Sequence, residues 1–481
     1  MKGIDAAALG LLDSDVKIVT GVPGFPITEL MEKMGKIRHE WCVNEKVALE
    51  IALGSSVCGE RGAVITKHVG MNILADPLVT SATHTIGAGV VIIAGDDAGV
   101  QKSQNEQDSR FYGLIAEVPV FDPSTPQALY LSIKEAFGLS EKVSTPVIIR
   151  VTDRLLKSES DVVRKSRGTP RAKSLDRNIW LFTMLGKHQR FHSESYPEMC
   201  RYAESSKLNT CEDRGRNGII SAGFPSTLVD RILPDDYSHL ALTVTNPFPL
   251  DLINRFIGDH ERVLVVEETE PVIERQLSKR VLGKLTGHMP FGMVEVEDIQ
   301  KAIRGINENK ISRDIAPQTI EERGARPLCD DCPYLPLYNA VKELNVPVAG
   351  DLGCSILASV PPLSLLDAAF SLGSSIGTAS GFNRKGIAIA GDFGLAHSGI
   401  SGLINAVHNR HEVVVIVLQN QISAMTGGQD VPDLTELVRS LVKDTEIIDP
   451  QMYMDIKNLL EKKLDKKGIS VILARARCPR Y

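Results

Sequence analysis

An acidic residue and an amide residue each follow an apolar run in the last third of the chain. Asp392 comes just after the run 386–390, and Asn420 comes just after the run 413–418. Because the carboxyl ends of parallel strands meet at one edge of a sheet, we expect both side chains to reach one point. A carboxylate and an amide oxygen suit Mg²⁺ or Ca²⁺, and the carbonyl oxygen of Ile422 offers a third ligand. The pattern predicts a cation site that holds a diphosphate.

Two glycines flank the aspartate. Gly391 and Gly394 would let the backbone approach a diphosphate closely. A Gly-Asp pair on its own more commonly marks a turn, so an ordinary strand-end aspartate is the alternative. The full combination of Gly-Asp, a second glycine, an intervening helix, a β run and a terminal Asn is much rarer. It therefore favours the ligand site.

Short apolar runs separated by helical patterns must position these residues, and they recur along the whole chain. Such runs are typical of parallel strands buried on both faces. We predict an α/β fold with three doubly wound parallel-sheet units, at 1–155, 216–305 and 328–481, and a helix at 399–408 between the two strands of the site. Polar, charged stretches at 156–215 and 306–327 indicate linkers, the first with an excursion.

Composition limits the class of protein. The chain has 481 residues, of which 43% are apolar and 24% charged, with a net charge of −6. This charge gives no case for nucleic acid binding. No apolar run approaches the roughly 20 residues of a membrane span, and the N-terminal segment is typical of a helix, not a signal peptide. We therefore expect a cytoplasmic protein. Eight cysteines in such a chain argue against a disulfide framework.

The sequence around these residues resembles a known family, the α subunit of indolepyruvate:ferredoxin oxidoreductase, which is thiamine diphosphate-dependent. In the last unit the resemblance rests on GDLGCSILASVPPLSLLDAAFSLGSSIGTASGF, HSGISGLINAV and AMTGGQ. In the first two units it rests on EWCVNEKVALEIALGSS, TKHVGMNILADPL, KSQNEQDSRFYG and VLVVEETEP. It implies a pyrimidine-binding domain at 1–155, a transketolase-C-like domain at 216–305 and a diphosphate-binding domain at 328–481.

The resemblance also implies cofactors and their ligands. Thiamine diphosphate would be held through Mg²⁺, with Asp392, Asn420 and the Ile422 carbonyl on the metal. The residues implied to contact the cofactor are Gly391, Asp392, Gly394, Asn420, Ile422 and Met425. The catalytic glutamate of the family stands in Glu-x-x-Ala at a helix start, which here is Glu45. The alternative for Glu45 is a residue that stabilises the helix N-terminus.

Further site residues follow from matching loops. Lys67 or Arg110 would bind the carboxylate of a 2-oxo acid. His397 would either assist proton transfer or serve as a structural hydrogen-bonding histidine. The chain has Phe25 where the family has a small hydroxyl residue, so the resemblance leaves the preferred 2-oxo acid open.

Four cysteines lie in or next to the last unit. In related oxidoreductases a Cys-x2-Cys pair, a Gly-Cys and a late cysteine hold a [4Fe–4S] cluster, which takes four thiolates. By position the candidates here are Cys329, Cys332, Cys354 and Cys478. A structural zinc site and buried cysteines without a metal are the alternatives.

The function implied is oxidative decarboxylation of an arylpyruvate-like 2-oxo acid to an acyl-coenzyme A, with electrons passing to iron–sulfur centres. The implied partners are a smaller β-type subunit and a ferredoxin or ferredoxin-like subunit, in a hetero-oligomer with a homodimeric core. The family's α subunit usually continues into a ferredoxin domain, which we expect this chain to lack. A non-oxidative 2-oxo acid decarboxylase of the sulfopyruvate or phosphonopyruvate kind is the first alternative, and a non-catalytic subunit is the second.

Overall fold

The computed structural model describes residues 1–165, 174–278, 281–308, 328–452 and 455–481. The chain forms two compact units, Met1–Gln318 and Thr319–Tyr481. In the described ranges, no helix combines the length and apolar character needed to cross a lipid bilayer.

A seven-stranded sheet organises the first part of the first unit, in the order β10-β5-β6-β4-β3-β1-β2. Six strands are parallel, and β10 pairs antiparallel with β5 at one edge. The strands are β1 (Ile18–Gly21), β2 (Arg38–Trp41), β3 (Gly62–Lys67), β4 (Val90–Asp96), β5 (Val120–Phe121), β6 (Val147–Thr152) and the later β10 (Val244–Asn246).

Helices cover both faces of this sheet. Neighbouring residues of β4 show the alternation, since Ile92 belongs to one core and Ile93 to the other. Helix α6 begins with a proline after the Thr125 N-cap, where a missing N–H costs nothing. The helices are α1 (Gly3–Asp13), α2 (Thr28–Glu32), α3 (Glu45–Val57), α4 (His68–His84), α5 (Phe111–Ala116), α6 (Pro126–Val143) and α7 (Asp153–Lys157).

The segment predicted as a linker and excursion contains α8 (Arg177–Trp180), α9 (Met184–Arg190), a π-helical turn Phe191–Ser195 and α10 (Tyr196–Ser205). Phe191, Met199 and Ala203 belong to the same core as β1 and α6. The excursion is therefore folded onto the first sheet.

A four-stranded sheet follows in the same unit, in the order β11-β8-β9-β7. Strand β7 pairs antiparallel with β9 and begins at Thr210, ahead of the predicted start of the second α/β unit at 216. The elements are β7 (Thr210–Glu212), β8 (Asn217–Ala222), α11 (Pro225–Ile232), β9 (Tyr237–Leu242), α12 (Leu250–Asp259), β11 (Val263–Val266), a 3₁₀ turn Glu274–Gln276 and α13 (Val296–Asn307).

The second unit has one five-stranded parallel sheet, in the order β12-β13-β14-β18-β17. Its described elements up to the site are α14 (Leu335–Lys342), β12 (Val348–Ala349), a 3₁₀ segment Cys354–Ser359, α15 (Ser375–Ser380), β13 (Gly386–Gly391), α16 (Asp392–Gly394), a π-helical turn Leu395–Gly399, α17 (Ile400–His408) and β14 (Val413–Gln419). Those that follow are β15 (Ile422–Ser423), a 3₁₀ turn Ala424–Thr426, β16 (Gln429–Asp430), α18 (Thr435–Leu441), β17 (Thr445–Ile448), α19 (Ile456–Asp465) and β18 (Ser470–Arg475).

These sheets confirm the predicted α/β class with parallel sheets, and the antiparallel edge strands β7 and β10 are the departures from it. The helix predicted at 399–408 is shorter than the observed one. It begins at Asp392, because the π-helical turn joins α16 to α17 without a break.

Candidate functional site

The carboxyl ends of β13 and β14 meet in the second unit, as the register of the two strands requires. The backbone N–H of Gln421 donates to Asp392 Oδ2 at 2.6 Å, which ties the two strand ends together. Asp392 also caps its own helix, since Phe393 N–H donates to Oδ1 at 2.9 Å. The side chain of Asp392 is buried at the N-terminus of a continuous helical stretch. The structure thus brings the aspartate next to the residue that follows Asn420.

The chain turns sharply after β14. The Oδ1 atom of Asn420 accepts a hydrogen bond from the Ile422 N–H at 3.2 Å, which forms an Asx turn. Ile422 then enters a short hairpin of β15 and β16. Met425 lies half-exposed on the 3₁₀ turn at its tip, and Gly427 follows with a φ of +121°, in the region that favours glycine.

The two glycines beside Asp392 have different reasons to be glycine. A Cβ built on Gly391 would meet no atom within 4 Å, so the space in front of this backbone is open. A Cβ on Gly394 would lie 2.1 Å from Asp351 Oδ2. Gly391 therefore fits the predicted close approach of a ligand, whereas Gly394 is required by the packing of another carboxyl group.

Asp351 is a site residue that the sequence analysis missed. It follows β12, is fully buried, and its Oδ1 accepts hydrogen bonds from Gly373 N–H at 2.5 Å and Leu352 N–H at 2.8 Å. Its Oδ2 has no hydrogen-bond partner among the described residues. A signal was present, because the Gly-Asp-x-Gly pattern occurs at 350–353 as well as at 391–394.

Burial raises the pKa of both carboxyl groups. It raises the pKa of Asp351 to about 7, although backbone N–H groups and the nearby His397 oppose the rise. It raises the pKa of Asp392 to about 6, against hydrogen bonds from backbone N–H groups. In the described part of the chain, neither carboxylate forms an ion pair with a lysine or arginine. A cation would restore the charged form of both.

The donor set at the strand ends fits Mg²⁺. Across the described ranges, no three His, Cys, Asp or Glu side chains form a group that would hold a metal ion by themselves. Mg²⁺ does not need such a group, since it binds through one or two carboxylates and fills its octahedron with water and phosphate oxygens. Asp392 with the Asn420 amide and the Ile422 carbonyl is a set of that kind.

His397 lies in the π-helical turn behind the site. Its imidazole is buried, and Nδ1 is 3.2 Å from Ser398 Oγ. His397 is among the groups that oppose the rise in the pKa of Asp351. This position suits a structural role in holding Asp351 as well as a role in proton transfer.

Glu45 is the first residue of α3, as predicted from Glu-x-x-Ala. Asn44 caps this helix, because its side chain accepts a hydrogen bond from Val47 N–H at 3.0 Å. The Glu45 side chain is buried against α4. A Cβ on Gly70 would lie 2.5 Å from Glu45 Oε1 and 2.2 Å from Thr66 Oγ1, so only glycine leaves room for the carboxyl group. Gly70 is a second position that the sequence analysis missed.

Two predicted substrate residues lie at the same edge of the first sheet. The Lys67 side chain packs over Gly24, next to Phe25, and its Nζ donates to Gln104 Oε1 at 3.3 Å. Burial lowers the pKa of Lys67. The ammonium of Lys102 lies 4.7 Å from the centre of the Phe25 ring, a cation–π contact. The structure thus groups an aromatic wall with two ammonium groups.

The structure corrects the prediction for Arg110. Its guanidinium is 1% exposed, donates to both carboxylate oxygens of Asp108, and lies 2.9 Å from Glu267 Oε2. These carboxylates neutralise it, so it has no capacity to bind a substrate carboxylate. Glu267 and Glu268 are also fully buried.

The four candidate cysteines lie in one part of the second unit, and none of them is in a disulfide. After burial, the neighbouring Cys329 and Cys478 thiols are among the causes that raise the pKa of Cys332. After burial, the Cys332 and Cys354 thiols are the next causes that raise the pKa of Tyr338.

Comparisons with known proteins agree with this geometry. Residues 351–472 match the family "Thiamine pyrophosphate enzyme, C-terminal TPP binding domain". The indolepyruvate oxidoreductase subunit IorA of Methanothermobacter thermautotrophicus is 32% identical over 99% of this chain and 86% of its own length. The IorA subunit of Archaeoglobus fulgidus is 30% identical over the same shares of the two chains.

Among solved structures, a 2-oxoglutarate:ferredoxin oxidoreductase from Magnetococcus marinus superposes with a TM-score of 0.52 over 65% of both chains. Its sequence identity of 14% means that this likeness shows the fold alone.

Proposed function

The chain belongs to the indolepyruvate oxidoreductase subunit IorA family, and on this premise we propose that it is the thiamine diphosphate-dependent subunit of a 2-oxoacid:ferredoxin oxidoreductase. The reaction is oxidative decarboxylation of an arylpyruvate-like 2-oxo acid to an acyl-coenzyme A, with electrons passing to iron–sulfur centres. The observation that carries the proposal is Asp392 inside the matched cofactor-binding region. It is a buried carboxylate at a helix N-terminus, and its hydrogen-bond partners among the described residues are backbone N–H groups.

Asp392, Asn420 and the Ile422 carbonyl would hold Mg²⁺ with the diphosphate of the cofactor. A helix N-terminus favours anions, and the open backbone at Gly391 leaves space for them. Met425, on the turn that follows, would contact the rest of the cofactor. When bound, thiamine diphosphate supplies the electron sink for loss of CO₂ from a 2-oxo acid.

Glu45 would hold a proton against the aminopyrimidine ring. Its burial beside Gly70 keeps water away from the carboxyl group and fixes its direction. A carboxyl group in such a place exchanges a proton with its ligand more readily than with solvent. Lys67, at the end of β3, would bind the substrate carboxylate, with Phe25 forming the adjacent apolar wall.

Cys329, Cys332, Cys354 and Cys478 would bind a [4Fe–4S] cluster that accepts the electrons. The nearness of these thiols to one another and to Tyr338 supports this assignment. Coenzyme A, a smaller β-type subunit and a ferredoxin or ferredoxin-like subunit complete the proposed enzyme, with the chain in a hetero-oligomer built on a homodimeric core. We also propose pyrimidine binding in 1–155, a transketolase-C-like domain in 216–305 and diphosphate binding in 328–481.

The test is an assay of the chain purified anaerobically with its β-type partner. We expect indolepyruvate-dependent and coenzyme A-dependent reduction of methyl viologen that requires Mg²⁺ and thiamine diphosphate. Glu45→Gln should lower kcat by about 10²–10⁴-fold, the range of general acid–base catalysis. Glu50→Gln, on the exposed side of the same helix, is the matched control and should leave kcat nearly unchanged.

Two outcomes would contradict the proposal. Release of an aldehyde without any electron acceptor would identify the non-oxidative decarboxylase instead. Failure of the folded wild-type protein to bind thiamine diphosphate with Mg²⁺ would identify a non-catalytic subunit.

A further inference from the structure

A short segment after β18 reaches across the cysteine region, and we call residues 477–481 the strap. Two hydrogen bonds fix its start. The N–H of Ala476 donates to the Gln419 carbonyl at 3.2 Å, and the Tyr334 hydroxyl donates to the Ala476 carbonyl at 2.9 Å. The strap therefore leaves the sheet between the end of β14 and the segment that follows Cys332.

The far end of the strap packs on the loop that follows Asn420. The ring of Tyr481 lies 2.5 Å from where a Cβ on Gly428 would stand, and Gly428 has a φ of +78°. The Tyr481 N–H donates to the Cys478 carbonyl at 3.4 Å, which closes the strap into a turn. With both ends fixed, the residues between them have a defined position.

Arg480 faces the Cys329–Cys332 pair from this turn. Its Nη2 donates a hydrogen bond to Asp331 Oδ1 at 3.3 Å. Cys329 and Asp331 are among the neighbours that raise the pKa of the Arg480 guanidinium. The Cys-Asp-Asp-Cys sequence places two acidic residues, Asp330 and Asp331, between the cysteines. Arg480 thus supplies a positive charge and a hydrogen bond to a stretch that would otherwise carry only negative charge.

Net charge and hydrogen bonds to sulfur are two of the factors that set the reduction potential of an iron–sulfur cluster. We propose that Arg480 is a positioning residue that holds the Cys329–Cys332 stretch through Asp331 and raises the potential of the [4Fe–4S] cluster, with the charge of Asp331 lowering it. This inference rests on the proposed function, because it requires the cluster. It adds a residue that no cysteine pattern would identify, since Arg480 reaches the site only through the fold of the strap.

The test is an EPR-monitored redox titration of anaerobically purified wild-type protein and three variants, after iron and acid-labile sulfide are measured. We expect Arg480→Gln to lower the equilibrium constant for one-electron reduction of the cluster threefold to tenfold. This corresponds to a downward shift of the reduction potential by about 30–60 mV. The range is small because the side chain of Arg480 is 60% exposed and solvent screens its charge. Arg480→Lys keeps the charge and should shift less, whereas Asp331→Asn should shift the potential upward.

Arg439→Gln is the control for net charge, since it removes one exposed arginine from α18 of the same unit. It should leave the potential where it is. A wild-type cluster whose potential moves neither in Arg480→Gln nor in Asp331→Asn overturns the inference and leaves the proposed function intact. If Arg480→Gln loses its iron, the upward shift in Asp331→Asn supports the inference and its absence overturns it. A wild-type protein without iron overturns the cluster assignment itself.

Discussion

Buried carboxylates lie at strand ends in both units, but the groups that interact with them differ between the units. In the first unit, Asp96 ends β4, Asp122 follows β5 and Glu267 follows β11 of the four-stranded sheet. Together with the loop residue Asp108, these carboxylates are paired with two fully buried arginines. The members of this paired cluster are Asp96, Asp108, Asp122, Glu267, Arg110 and Arg150. In the second unit, Asp351 and Asp392 are buried with backbone N–H partners and, in the described ranges, with no lysine or arginine.

The difference distinguishes charges that stabilise the fold from charges that are available to a ligand. A buried ion pair is a finished arrangement, because removing either partner leaves an uncompensated charge. A buried carboxylate without a protein cation costs stability, and its pKa rises as a result. The paired cluster therefore joins the seven-stranded sheet to the four-stranded sheet of the same unit. The buried carboxylates of the second unit have no lysine or arginine partner in the described ranges, as the proposed cation site requires. Four variants or conditions test this contrast.

The largest effect should come from the paired cluster. Arg150→Met leaves Asp96, at 2.6 Å, and Asp122, at 3.2 Å, without their shared cation. We expect a loss of about 3–5 kcal/mol in the free energy of unfolding, measured by guanidinium denaturation. Arg439→Met breaks an exposed pair and should cost less than about 1 kcal/mol. Equal losses of unfolding free energy in the two variants would mean that the buried cluster stabilises the fold no more than an exposed ion pair does.

The next effect should appear in binding, not in stability. Asp392→Asn should weaken Mg²⁺-dependent binding of thiamine diphosphate by on the order of 100-fold, because it removes the one carboxylate of the metal site. The free energy of unfolding without ligand should change little, since a neutral amide is easier to bury than a carboxylate but its NH2 group cannot accept a hydrogen bond from one of the two backbone N–H groups that Asp392 binds. Calorimetric titration measures the first quantity and urea denaturation the second.

Asp449→Asn is the matched control for Asp392. Asp449 follows β17 at the same edge of the sheet, is exposed, and accepts a hydrogen bond only from the Gln451 N–H among the described residues. Cofactor affinity should stay unchanged in this variant. A comparable loss of affinity in both variants would show that general charge at the sheet edge, and not Asp392 itself, holds the ligand.

Asp351 and Asp392 should respond to pH in the direction opposite to Asp108 of the paired cluster, whereas burial raises the pKa of Asp122 and Glu267 in spite of the two arginines. The pKa of Asp351 is raised by burial to about 7 and that of Asp392 to about 6, above the roughly 3.9 of an unfolded chain. Their stabilising contribution is present below about pH 4 and is lost as the pH rises through 6 and 7. Burial would raise the pKa of Asp108 too, but Arg110 and Arg150 hold it at about 2, so its contribution is lost as the pH falls toward 2.

Urea denaturation of the ligand-free protein between pH 5 and 8 measures this dependence. Each proton accounts for a slope of at most about 1.4 kcal/mol per pH unit. Asp351→Asn should flatten the decline with rising pH, and Mg²⁺ with thiamine diphosphate should bind more tightly as the pH rises. A wild-type stability that increases from pH 5 to 8 would contradict the assignment.

The sequence was sufficient for whatever depends on local pattern. The apolar runs predicted the strands that carry the site, and the residues after β13 and β14 predicted that Asp392 and Asn420 stand at neighbouring strand ends. Glu-x-x-Ala likewise marked the start of α3.

Local sequence patterns could not predict side-chain contacts between residues that lie far apart along the chain. Arg110 was taken for a substrate ligand because its partner Glu267 lies in another sheet of the unit, far along the chain. The packing of Gly394 against Asp351 and of Gly70 against Glu45 depends on distances between side chains, which no local pattern encodes. The π-helical turn moved the helix start to Asp392 for a similar reason, since no residue marks its irregular hydrogen bonds.

The smallest expected effect comes from two helix N-caps of the first unit. One belongs to a helix that carries a candidate catalytic residue, and the other belongs to a helix that carries none. Asn44 caps α3, which carries Glu45, and Thr125 caps α6, which packs on the sheet, at 3.0 and 3.1 Å. Either cap replaced by alanine should cost about 1 kcal/mol of stability. Only Asn44→Ala should also lower kcat, because it frees the helix turn that directs the Glu45 carboxyl group. If Thr125→Ala lowers kcat as much, loss of stability explains both, and the position of Glu45 is not set by its cap.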